Sequence, residues 1–158
     1  MRSIYIASGL WHGSKPKGER MNKERIMPEG HWYWSMPVHF SQGWKVGNMI
    51  FVGGQISADE NGRPIAPFDI ETQTRNVFEN VRTVLREVGA DMKDIVKLNT
   101  YYVDDSTGDG SREFWEKMTR VRMEYIPDPG PSATAVKVAG LAYDGLVIEV
   151  EAIAVMDE

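Results

Sequence analysis

The sequence predicts an α+β sandwich in which two helices cover one face of a mixed sheet. Three observations lead there: two segments carry the apolar stripe of amphipathic helices, extended runs flank each of them, and the chain order is strands, helix, strand, helix, strands. With 158 residues and no internal repeat the chain fits one domain. A chain of that size buries roughly two-thirds of the surface it exposes when unfolded.

Residues 1–30 mix Gly, Pro, Lys and Glu without a clear period and read as a loosely ordered arm. The densest aromatic stretch follows, from His31-Trp32-Tyr33-Trp34 to Phe40. Its rings seal a core edge or a subunit contact, which is the simpler reading, or they form the wall or lid of a pocket for a flat or apolar ligand. Gly47-Asn48 then turns into a short buried strand, Met49 to Gln55, which carries the pair Gly53-Gly54. Glycines inside a strand suggest a bulge or a close approach of another group. Asp59-Glu60-Asn61-Gly62 is a turn signal.

A helix is expected over Ile70 to Val88, with Asp69 as N-cap, a stripe of Phe78, Val81, Leu85 and Val88, and Gly89 ending it. Ile95 to Val103 reads as a strand with Val96, Leu98 and Tyr102 opposite Lys97, Asn99 and Tyr101. After the acidic loop from Asp104 to Gly110, Ser111 is placed to cap a second helix with a stripe of Phe114, Met118, Val121 and Tyr125. The proline-rich run Pro127 to Pro131 breaks it. Two extended runs close the chain, Ala133 to Ala139 and Leu146 to Val155. In the second, Glu149 and Glu151 share one face and Ile148, Val150 and Ala152 the other. Two carboxylates on an apolar strand mark either a solvated face or a cleft in which one of them handles protons or water.

Composition narrows the function classes. A net charge of −5 argues against a nucleic-acid surface. The absence of cysteine removes disulfides, thiolate nucleophiles and thiolate metal sites. No apolar run approaches the ~20 residues of a membrane span, and the N-terminus lacks a signal-peptide core, so a cytoplasmic setting is expected. His12, His31 and His39 show no metal-ligand spacing, and no serine-nucleophile, phosphate-loop or dinucleotide motif occurs. Neither metal nor cofactor is expected. What remains is a set of polar residues on strands, Gln55, Thr100, Thr134, Glu149 and Glu151, suited to acid/base or water chemistry.

Four motifs, in this order and spacing, are shared with one family. They are Gly47-Asn48-Met49-Ile50-Phe51-Val52-Gly53-Gly54-Gln55-Ile56, Gln73 to Val81, Gly89-Ala90 to Lys97, and Ile148-Glu149-Val150-Glu151-Ala152-Ile153-Ala154. Over about Val38 to Val155 the chain resembles the Rid (YjgF-type) family of enamine/imine deaminases. The division this suggests is an N-terminal extension or arm at 1–36 and a Rid-like domain at 37–158. The resemblance implies a chorismate-mutase-like fold, a homotrimer with clefts between subunits, and addition of water to a C=N bond with loss of ammonia. It places the family's water-handling glutamate at Glu149. The cleft tyrosine falls on Phe40, which lacks the hydroxyl. The carboxylate-gripping arginine falls on Ala133, and a cysteine common two positions later falls on Ala135.

The arginine matters because a charge-assisted contact is worth about 1.5–3 kcal/mol and also fixes orientation. Poor activity on short α-imino acids is therefore expected. Lys137 shares strand parity with Ala133 but sits four residues on, about 13 Å along a strand, so it is no direct replacement. The leading reading is an atypical hydrolase acting on an imine, enamine or related C–N bond of a small metabolite. Glu149 is its catalytic residue. Trp32, Trp34, Phe40, Gln55, Ala133, Thr134 and Ala135 are the candidate substrate-binding positions. The alternative is a non-catalytic trimeric metabolite-binding or regulatory protein. Ribonuclease activity, also attached to this family, fits the acidic composition poorly.

Overall fold

The computed structural model describes residues 22–157. The first 21 residues, which include His12 and most of the expected arm, lie outside the described residues. Six strands form one mixed sheet: β1 (Lys23–Ile26), β2 (Gly43–Val46), β3 (Met49–Ile56), β4 (Ile95–Tyr102), β5 (Ser132–Lys137) and β6 (Ile148–Val155), in the order β1-β2-β3-β6-β4-β5. All neighbours are antiparallel except β4 and β5, which run parallel. Two helices, α1 (Ile70–Arg86) and α2 (Asp109–Tyr125), cover one face. This is the expected α+β class.

Helix α1 begins where the sequence places it. Asp69 Oδ1 accepts hydrogen bonds from the backbone N–H groups of Glu71 and Thr72, both at 3.1 Å, satisfying two of the otherwise unpaired amides of the first turn. The helix buries Val77, Phe78, Val81, Val84 and Leu85 against Ile50, Val52, Leu98, Val150 and Ala152 of the sheet. Gly89 follows with φ +85°, the left-handed turn that favours glycine. Helix α2 buries Met118 and Val121, and its Tyr125 stacks on Phe78 at 5.5 Å.

Three local expectations differ from what is observed. Ser111 does not cap α2; the N-cap position is Gly108, and Ser111 Oγ donates instead to Asp104 Oδ2 at 2.9 Å. Val96 does not share the apolar face with Leu98. Ile95 pairs with Ala154 and Lys97 with Ile153, so Val96 is the extra residue of a bulge and is 47% exposed. Lys23–Ile26, inside the stretch read as an arm, is the edge strand β1, because backbone pairing with β2 needs no side-chain pattern. Its Ile26 is buried in the main core.

A second, smaller core gathers Trp32, Ile56, Ala58 and Leu146, with Trp34, Phe40, Leu141 and Tyr143 packed on it. Directly paired strand residues share a face, and Ile56 pairs with Glu149. The aromatic segment therefore covers the end of the sheet face opposite to the helices, next to the carboxylates of β6.

Candidate active site

The open face of β4 and β6 carries a polar row. Register places Tyr101 opposite Glu149 and Asn99 opposite Glu151, and Asn99 is in turn opposite Thr134 of β5. The two glutamates differ in their partners. Asn99 Nδ2 donates to Glu151 Oε1 at 2.8 Å and the Tyr101 hydroxyl donates to the same atom at 3.2 Å. The negative charge of Glu151 and this bond together raise the Tyr101 pKa. Glu149 is half-buried and receives no side-chain donor among the described residues. Burial, and secondarily the charge of Glu151, push its pKa above the usual carboxylate value.

The Gly53-Gly54 pair explains how Glu149 fits. The β3–β6 register slips between Val52 and Gln55, so the pair forms the bulge expected from the sequence. A Cβ on Gly54 would lie 2.9 Å from Glu149 Cδ, so only glycine leaves that carboxylate its place. A groove of about 290 Å³ on the same face runs past Gly53, Phe51, Lys97, Asn99 and Glu151. Glu149 is not among its lining residues; it lies one strand repeat beyond Glu151.

The other sequence-derived positions fall in three places. Gln55 is fully buried at the centre of a hydrogen-bonded network. Its Oε1 accepts from Trp32 Nε1 at 2.9 Å and faces His31 Nε2 at 2.8 Å, while its Nε2 donates to Gln42 Oε1 at 2.9 Å and to the Gly53 carbonyl at 3.1 Å. Burial lowers the His31 pKa, with the Gln55 bond acting the other way. Trp32 is buried and stacks on Phe40 at 5.6 Å, and Trp34 meets Trp32 edge-on at 5.1 Å. On β5, Thr134 shares the Glu151 face and accepts from Lys97 Nζ at 2.9 Å. Ala133 and Ala135 pair with Leu98 and Thr100 and so lie on the helix side of the sheet, not on the Glu149 face of the same chain. Lys137 is engaged elsewhere, 3.4 Å from Asp104 Oδ2.

Sequence reasoning did not nominate Asn99, Tyr101 or Gly54 as site residues. The signal for Gly54 was present in the paired glycines; for the other two it lay in cross-strand register. Among the described residues no group of three or more His, Asp or Glu gathers to hold a metal, and no helix is long and apolar enough to cross a membrane.

Two helices packed on one face of a mixed six-stranded sheet are the arrangement of the YjgF/Rid fold. RidA from an Antarctic Psychrobacter superposes with a TM-score of 0.71 at 27% identity, covering 84% of this chain and 99% of that one. The chain belongs to the family described as endoribonuclease L-PSP, the Rid/YjgF family, whose profile matches residues 35–156. A RutC family protein of Pyrococcus abyssi is 41% identical over 115 residues, 73% of this chain and 84% of that protein. The 3-aminoacrylate deaminase RutC of Acinetobacter baylyi is 29% identical over 136 residues, 85% of this chain and 98% of that one.

Proposed function

We propose that the protein is a cytoplasmic, deaminase-like hydrolase of an imine, enamine or related C–N bond in a small metabolite, working as a homotrimer. The observation that carries this reading is Glu149: a half-buried carboxylate with a raised pKa, no donor among the described residues, and a glycine opposite that keeps space beside it. A carboxylate whose proton affinity is raised is a stronger base toward water than an ordinary one. In the reaction, Glu149 takes a proton from water as the oxygen bonds to the imine carbon, and the C=N π electrons move to nitrogen. The nitrogen gains that proton, giving a carbinolamine. Collapse to the carbonyl breaks the C–N bond, with the hydroxyl proton passing through Glu149 to the departing ammonia. An enamine enters the same route after tautomerisation to its imine. The reading assigns stabilisation of the developing charge to backbone N–H groups near Thr134 and Ala135.

Trimer formation is supported by the open face itself, where Trp44 and Phe51 are 41% and 40% exposed. Ala133 offers no cation to a neighbouring subunit's cleft, so the reading favours substrates that are larger or lack a short α-carboxylate. A second reading, a non-catalytic metabolite-binding or regulatory trimer, is favoured by that alanine and by the missing hydroxyl at Phe40. Ammonia release from freshly generated imines and enamines, with and without carboxylates, separates the two when the parent is compared with Ala133→Arg. Release by the parent from non-carboxylate or bulky substrates, with short imino acids gained by the variant, supports the hydrolase. No release by either, with a metabolite that co-purifies and is returned unchanged, supports the binding protein.

A further inference from the structure

A second cleft, of about 540 Å³, opens between the aromatic segment and the turn at 59–64. That volume holds a small ligand. One wall is aromatic: Tyr33, Trp34 and Tyr143 line it, with Trp34 and Tyr143 meeting edge-on at 5.6 Å. The other wall is a rigid turn. Asp59 Oδ1 accepts from the backbone N–H groups of Asn61 and Arg63, both at 2.9 Å. Gly62 takes φ +74° so close to the aromatic segment that a Cβ there would meet the Tyr33 carbonyl oxygen at 2.7 Å. The turn therefore fixes the Arg63 backbone at the rim of the cleft.

Arg63 stands apart from five of the eight described arginines. Arg75, Arg82, Arg86, Arg112 and Arg120 each pair with a carboxylate. Arg63 has no such partner among the described residues, although Glu60 lines the same cleft. A guanidinium fork binds a carboxylate through two parallel bonds, and aromatic walls take a flat ring. The Glu60 carboxylate on the same rim repels a second negative charge.

We propose that this cleft is a small-molecule site, separate from the Glu149 face, for planar aromatic monocarboxylates. The ring lies against Trp34 and Tyr143, and the carboxylate meets Arg63. The site does not rest on the hydrolase reading, because binding there needs no turnover.

The test is titration of the full chain with indole-3-carboxylate, with uncharged indole and the dianion phthalate alongside, following amide NMR shifts at Asn61, Gly62 and Arg63 and the Trp34 indole N–H. Saturable shifts at these positions are expected, with affinity about tenfold weaker for indole, for phthalate and in Arg63→Gln. Arg112→Gln, which removes a surface cation elsewhere, is expected to bind like the parent. No saturable shift, equal affinity for indole, or an unchanged Arg63→Gln would overturn the proposal. So would shifts centred on Asn99 and Tyr101, which put the ligand on the carboxylate face. Failure of turnover at Glu149 leaves these readouts untouched.

Discussion

Gly54 and Glu149 occupy adjoining space across the β3–β6 pair, so close that a Cβ on the glycine would lie 2.9 Å from the carboxylate carbon. Because the clash falls on the end of a flexible side chain, Gly54→Ala is expected to cost little stability, within about 1 kcal/mol. The carboxylate must swing away, however. Turnover is therefore expected to fall far more than the thermal midpoint, and measuring both on one preparation checks it.

The raised pKa of Glu149 has a consequence for stability. A folded-state pKa above the unfolded value means that the native state holds the proton more tightly. The stabilisation is fully present below the unfolded pKa and is lost as pH rises through the folded one. Glu149→Gln mimics the protonated form. It is expected to match the parent in acid and to be the more stable protein at neutral pH, a trend that urea denaturation across pH reads directly.

Asp104 behaves in the opposite sense. Burial would raise its pKa, but bonds from the Ser106 hydroxyl and amide and from Ser111, with the Lys137 charge, hold it down at about 2. Its contribution is present above the ordinary carboxylate pKa of 3.8 and is lost as pH falls toward 2. Asp104→Asn is expected to cost about 1–3 kcal/mol at neutral pH. The gap between variant and parent should close in acid.

Gln55 ties Trp32, His31 and Gln42 to the bulge at Gly53. Gln55→Leu leaves the buried Trp32 Nε1–H and Gln42 Oε1 without these partners and is expected to cost roughly 2–4 kcal/mol. A lowered urea midpoint with an unchanged m-value is the expected signature.

What was legible in the sequence was local. Asp69, the stripe through Phe78 and Leu85, and Gly89 define α1 from signals within one helix, and the alternation over Ile148 to Val155 gives β6 both of its faces. Strand β1 was not legible: in Lys-Glu-Arg-Ile a single apolar residue is buried, and the pairing that makes it a strand comes from β2. Nor was the bulge at Val96, which register with Ile153 and Ala154 creates. At the site, Glu149 and Glu151 look alike in sequence because they share a face. Asn99 and Tyr101 distinguish them by bonding Glu151, and only the β4–β6 register brings those groups there. The side taken by Ala133 is likewise set by its parallel register with Leu98.

The most direct measurement is single-turnover ammonia release by the parent and by Glu149→Gln, on whichever imine or enamine the parent accepts. Loss of about 10²–10⁴-fold in rate is expected if this carboxylate moves the proton, with binding of the unreacted substrate retained. Full turnover by Glu149→Gln would contradict the mechanism and remove Glu149 from the chemistry.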